Sequence, residues 1–147
     1  MPKLSKGNNI NRILDANINR SKEGLRVCEE ITRFILDNRN LTFKFKQIRH
    51  RIGRLVKRLT TNINIIKERK SLQDVGKKIY INELKRKNCL DIFFANMQRV
   101  KESIRVLEEF SKLKNINIAI KFKEIRYDIY EIEKKAAQKI KSLRHIR

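Results

Sequence analysis

Proline and glycine are nearly missing from this chain. Its 147 residues include one Pro, at Pro2, and four Gly. The turn residues that punctuate sandwiches, barrels and doubly wound sheets are therefore lacking, and an all-α fold is expected. Cysteine is equally scarce. Cys28 and Cys89 are too few for a disulfide framework and have no Cys or His at metal-ligand spacing, which points to a reducing compartment. No apolar run approaches the ~18 residues of a membrane span, and no signal-peptide core precedes a small-residue cleavage site. A soluble, cytoplasmic protein with no membrane partner is expected. Acidic residues are few: 16 Asp and Glu face 37 Lys and Arg, a formal charge of +21.

Apolar residues make up 40% of the chain and are evenly spread, so whole-chain disorder is excluded and one helical domain over residues 1–147 is expected. The positive charge favours anionic partners by steering. It also has a bland source, because Lys, Ile and Asn are abundant together and all are specified by AT-rich codons.

An internal repeat organises the sequence. Ile13–Phe34, ILDANINRSKEGLRVCEEITRF, aligns with Ile92–Leu113, IFFANMQRVKESIRVLEEFSKL, at an offset of 79, sharing ANxxRxKExxRVxEE. Lys44–Ile52, KFKQIRHRI, aligns with Lys121–Ile129, KFKEIRYDI, at an offset of 77. The segments carry a helical period: Phe45, Ile48, Ile52, Leu55, Val56 and Leu59 form one stripe, and Phe122, Ile125, Ile129, Ile132 and Ala136 its counterpart. Short joins at Asn38–Asn40 and Asn115–Asn117 make each half a helical hairpin. The expected architecture is a four-helix bundle of two duplicated hairpins, about 12–59 and 91–143, with approximate internal twofold symmetry. A crossover loop, 60–90, connects them, with room for a short helix at Tyr80–Lys87. An extended array of helical pairs is the alternative.

Polar residues interrupt the stripes. At 100° per residue, Ile13, Asn17, Arg20, Gly24, Cys28, Ile31 and Ile35 share one face of the first helix. Ile92, Asn96, Arg99, Ser103, Leu107 and Phe110 repeat it. Arg49 and Arg126 sit within the stripes of the second and fourth helices. Four arginines and two asparagines are thus expected to point into the bundle, where each guanidinium needs a carboxylate or a bound anion. Carboxylates are within reach: Glu23 lies three residues from Arg20 and from Arg26, Glu30 four from Arg26, and Glu102, Arg105 and Glu109 repeat the ladder. Gly24 costs a helix about 1 kcal/mol against Ala, so something needs the space beside it, either a ligand or a close helix. A polar pocket lined by Arg forks suited to phosphate oxygens is the expectation.

Phosphate-loop, dinucleotide and zinc signatures are missing, and His50 and His145 have no ligand partners in register. In the loop RKSLQDVG, Asp74 beside Gly76 offers a carboxylate for Mg²⁺ or for activating a hydroxyl, or is simply a turn.

The string RILDANINRSKEGLRVCEEITRF, the DVG at Asp74–Gly76, and ANMQRVKESIRVLEEFSKL followed by FKEIRYDIYEIE resemble a helical domain often fused ahead of bacterial thiamine phosphate synthases. That domain is the alternative hydroxymethylpyrimidine phosphate kinase, unrelated in fold to the ribokinase-like enzyme. The resemblance runs from Arg12 to about Lys135. It implies phosphoryl transfer from ATP, with Mg²⁺, to 4-amino-5-hydroxymethyl-2-methylpyrimidine phosphate, giving the diphosphate for thiamine synthesis. Carried over by matching positions, the site is Asn17, Arg20, Glu23 and Arg26, then Asn96, Arg99, Glu102 and Arg105, with Arg69 and Asp74 from the loop. The arginines would hold phosphates, the asparagines orient substrate, Asp74 bind the metal, and Asp74, Glu23 and Glu102 serve catalysis. No synthase barrel follows here, so coupling to a separate thiamine phosphate synthase is expected. The alternatives are a basic helical module that binds RNA or DNA without catalysis, and a non-catalytic partner of the synthase. Oligomeric state is open, a homodimer among the options.

Overall fold

The computed structural model describes residues 6–60 and 62–143; their regular structure is helical, with no strand among them. The helices are α1 (Lys6–Glu30), α2 (Arg39–Leu59), α3 (Asn62–Ile66), α4 (Cys89–Ser111) and α5 (Ile116–Ser142). Their burial follows the apolar period. Phe45, Ile48, Ile52, Leu55 and Val56 of α2 and Phe122, Ile125, Ile129, Ile132 and Ala136 of α5 are all buried. Each large side chain so removed from water contributes about 1.5–3 kcal/mol before chain entropy is charged. α1 packs most extensively on α4, α4 on α5, α1 on α2 and α2 on α5.

Asparagines start the helices. Asn38 Oδ1 accepts from Leu41 N at 2.9 Å, Asn88 Oδ1 from Asp91 N at 2.9 Å, and Asn115 Oδ1 from Asn117 N at 3.0 Å. Each satisfies a backbone N–H that the first turn leaves unpaired. The asparagines at 38 and 115 therefore cap the following helices, and the turns lie just before them, earlier than the 38–40 and 115–117 joins expected.

Two further expectations are corrected. The 60–90 stretch is not all loop, because α3 docks Ile65 into the core against α1. Tyr80–Lys87 holds only a 3₁₀ turn, Ile81–Leu84, and residues 69–88 are exposed throughout. Gly24 marks close helix packing: a Cβ there would lie 2.7 Å from Val100 Cγ2 and 3.1 Å from the Asn96 carbonyl oxygen. The space beside it is taken by α4, with none left for a ligand.

The arginines do not fill the interior. Arg20 and Arg99 are exposed, and Arg49 and Arg126 are half-buried. A long side chain at the edge of a buried stripe carries its guanidinium to water, because desolvating the charge costs far more than the stem gains.

Candidate functional site

A groove of about 540 Å³ runs between α1 and the start of the crossover, and Asn17, Arg20, Glu23, Arg69 and Asp74 all line it. Five of the expected site residues thus meet at one place. Arg12 and Lys70 add two cations there.

Its anchor is Asp15, 5% exposed on α1. Arg69 donates to it through Nε at 2.7 Å and Nη2 at 2.6 Å, a fork that pins the crossover to α1. Those hydrogen bonds, and then the carboxylate's charge, raise the Arg69 pKa further. Nη1 of Arg69 has no partner among the described residues and is available to a ligand. Sequence reasoning passed over Asp15 because it weighted positions repeated in both halves, and the counterpart of Asp15 is Phe94. The signal was present, since Asp15 belongs to the DAN string.

Asn17 is buried and donates from Nδ2 to the Ile13 carbonyl at 2.8 Å. Asn96 makes the same bond to Ile92 at 2.8 Å. Both amides spend a donor on their own helix, so neither reaches across to the other half. Arg20 and Glu23 carry no ion pair among the described residues, so the expected Glu23 ladder does not form. Asp74 is exposed and its Oδ1 accepts from Gly76 N at 2.8 Å, which makes DVG a side-chain-stabilised turn. Its second oxygen is unengaged among the described residues.

No group of three or more His, Cys, Asp and Glu among the described residues could form an all-protein metal cage. Mg²⁺ bound with nucleotide needs only one or two carboxylates plus phosphate oxygens, and Asp74 and Glu23 on the groove fit that donor set.

The other half contributes nothing to this groove. Arg99 is exposed on α4, and Glu102 accepts from Gln98 Nε2 at 3.3 Å. Arg105 lies 3.3 Å from Glu109 and 3.8 Å from Glu108. Arg26 likewise lies outside it, 3.0 Å from Glu29 and 3.8 Å from Glu30. The single pocket joining both halves is therefore replaced by a groove on the first half.

What the halves share is an internal ion pair. Glu29 is held by Arg49 Nε at 3.2 Å and Nη2 at 3.1 Å, and Glu108 by Arg126 Nε at 3.0 Å. Both carboxylates are buried. Sequence reasoning found these arginines without naming Glu29 or Glu108 as their partners; it set Glu30 beside Arg26 and Glu109 beside Arg105, the more exposed member of each EE pair.

Residues 12–135 match the model of the ThiD2 family, and the chain belongs to that family. It is similar to proteins named thiamine-phosphate synthase, at 35% identity over 126 residues in Prochlorococcus marinus subsp. pastoris, with 84% of this chain and 34% of the relative covered. The relative from Synechocystis sp. is 38% identical over 125 residues, covering 84% of this chain and 35% of that one. That from Nostoc punctiforme is 38% identical over 125 residues, covering 84% and 34%. The chain thus spans about a third of the length of these curated relatives. No solved structure matches. A thiamine-biosynthesis context fits the family and these relatives, and no described helix is long and apolar enough to cross a membrane.

Proposed function

We propose that the chain is a kinase that transfers the γ-phosphoryl group of ATP to 4-amino-5-hydroxymethyl-2-methylpyrimidine phosphate. The observation that carries the reading is the α1 groove, where Arg12, Arg20, Arg69 and Lys70 gather around Asn17, Glu23 and Asp74. A phosphate oxygen of the acceptor bonds to the γ-phosphorus, the bond from that phosphorus to the β–γ bridging oxygen breaks, and ADP leaves with its electron pair. A phosphate monoester has a second pKa near 6, so the acceptor is already largely a dianion at neutral pH and needs no general base. The work is positioning and charge neutralisation. Arg69, aimed by Asp15, and Arg20 hold phosphate oxygens, while Asn17 orients the pyrimidine. Asp74 and Glu23 would hold Mg²⁺, which supplies charge neutralisation across the phosphates. The diphosphate product then passes to a thiamine-phosphate synthase.

The four long helices support a four-helix bundle with an approximate internal twofold. Arg51 Nη1 lies 2.7 Å from Asp128 Oδ2, and these are equivalent positions of the two halves. A residue that meets its own counterpart lies near a twofold axis.

The test is phosphorus NMR of the protein with Mg²⁺, ATP and the pyrimidine phosphate, which should give the diphosphate and ADP. Arg20→Met should lower turnover by about 100-fold or more, with helicity and melting temperature nearly unchanged. No turnover with Mg²⁺, Mn²⁺ or Co²⁺ by folded protein overturns the kinase reading.

A further inference from the structure

A cavity larger than the α1 groove is present elsewhere on the first half. It lies at the turn between α1 and α2, encloses about 840 Å³, and is walled by Arg33, Arg39, Lys46, Arg49 and His50, with Phe43 at its side. Arg26, Arg33, Arg39, Lys46 and Arg49 face two carboxylates, Glu29 and Asp37, an excess of 5 − 2 = +3 with His50 neutral. Glu29 is already engaged by Arg26 and Arg49. Arg39 and Lys46 have no ion pair among the described residues, and Arg33 rests only on the Phe34 ring, 4.7 Å from its centre. The positive field is felt locally: loss of solvation, then Arg49, Lys46 and Arg54, lower the His50 pKa.

The duplicated half supplies an internal control. Its equivalent turn is walled by the matching positions Glu108, Lys112, Ile116, Ala119, Ile120 and Lys123, and its cavity is about 340 Å³. Arg39, Thr42 and Phe43 correspond to Ile116, Ala119 and Ile120, and His50 to Tyr127. The backbones differ as well. α1 unwinds into a π-turn, Ile31–Ile35, with Leu36 N donating to Ile31 O at 3.0 Å, and continues into Asp37 at φ 48°. α4 tightens instead, with Leu113 N donating to Phe110 O and Lys114 N to Ser111 O. π-turns and left-handed non-glycine residues are costly and persist where the surroundings hold them, commonly at functional sites. The two halves keep the Glu–Arg pair beneath the turn, and the first has opened the turn and lined it with five cations where its twin has two, Lys112 and Lys123.

We propose that the α1–α2 turn is a second ligand site, one that takes a di- or triphosphate group. A chain of two or three phosphates carries enough charge to match the excess, and its oxygens suit the forked donors of Arg33 and Arg39 with Lys46 as a point charge. The N-terminus of the 21-residue α2 adds partial positive charge at Arg39. Asn17 and Glu29 are twelve residues apart on α1, roughly 18 Å, so a ligand here cannot share an in-line transfer with one in the groove. The site is separate from the kinase centre and does not depend on that reading.

The experiment is calorimetric titration of the whole chain with inorganic pyrophosphate and with ADP, without ATP or pyrimidine, at fixed ionic strength. The His50 ring resonances are followed in parallel. Pyrophosphate should bind and raise the His50 pKa, because a bound anion favours the imidazolium. Arg39→Ala and Lys46→Ala should each weaken binding about tenfold, while Lys123→Ala, at the position equivalent to Lys46, should change it less than twofold. ADP binding more tightly than pyrophosphate, by an excess that Phe43→Ala removes, assigns a nucleotide. Equal binding assigns a diphosphate with no base contact. An unmoved His50, or an equal loss from Lys123→Ala, reduces the cavity to diffuse surface charge and overturns the proposal. Kinase turnover is not read here, so the two readings fail separately.

Discussion

Cys28 shows how one side chain reports the packing around it. It is fully buried, with its thiol 3.8 Å from the Phe93 carbonyl oxygen. Burial, then the charge of Glu133, push its pKa from 9.0 up to about 12. The thiolate is the reactive form, so native Cys28 should be inert. A thiol reagent at pH 8 should label half-buried Cys89 and spare Cys28 until the protein unfolds. The linkage has a definite sign. Below pH 9 both states hold the proton and the stabilising effect is fully present; between pH 9 and about 12 the unfolded state gives it up first, and stability is lost. Across that window the wild type should lose up to about 1.4 kcal/mol per pH unit more than Cys28→Ala, read by urea unfolding.

Glu29 and Glu108 make a matched pair of tests. Breaking a buried ion pair by removing one partner leaves a charge without compensation and costs about 3 to 5 kcal/mol. Glu29→Ala should approach the lower end, because Arg49 keeps some access to water. Glu108→Ala should cost less. Arg126 retains a 3.0 Å hydrogen bond from Nη1 to Tyr130 Oη and sits 5.4 Å from the Tyr127 ring centre. Equal losses in denaturant midpoint would refute that difference. Arg20 and Asp15 limit what can be read at this scale. A helical wheel places Arg20 with the buried stripe but cannot say whether a long side chain ends in the core or in water. Asp15 lacks a counterpart in the repeat and has its partner 54 residues away.

The α1–α4 interface is the most extensive helix contact, and Gly24 permits close approach within it. Ala at this position gains about 1 kcal/mol of helix propensity, yet its Cβ would fall 2.7 Å from Val100 Cγ2. Overpacking a fitted interface costs about 1–3 kcal/mol. Gly24→Ala should therefore be net destabilising, with a lower melting temperature and helicity retained at 20 °C. A rise in melting temperature would show that α1 and α4 can separate freely. At the ends of these helices the sequence was a partial guide. The asparagine caps were visible as turn residues, one position from their true role. The π-turn after Glu30 was invisible, because ITRFI and its counterpart FSKLK are both compatible with continued helix.

Across the whole molecule, the apolar period, the scarcity of Gly and Pro and the two repeated blocks determined that the chain is helical, which segments form the long helices and which faces they bury. These properties follow from local spacing, since one face of a helix is set by residues three and four apart. The family resemblance was legible for the same reason, being carried by a contiguous string. The grouping of Asn17, Arg20, Glu23, Arg69 and Asp74 without Asn96 and Arg99 was decided only by tertiary structure. So were the buried Glu29–Arg49 and Glu108–Arg126 pairs and the enlargement of one turn over its twin. Each depends on the rotation of one helix against another and on the path of the crossover. A few tens of degrees of rotation move a guanidinium from core to solvent, and a repeat that treats both halves alike cannot encode how they come to differ.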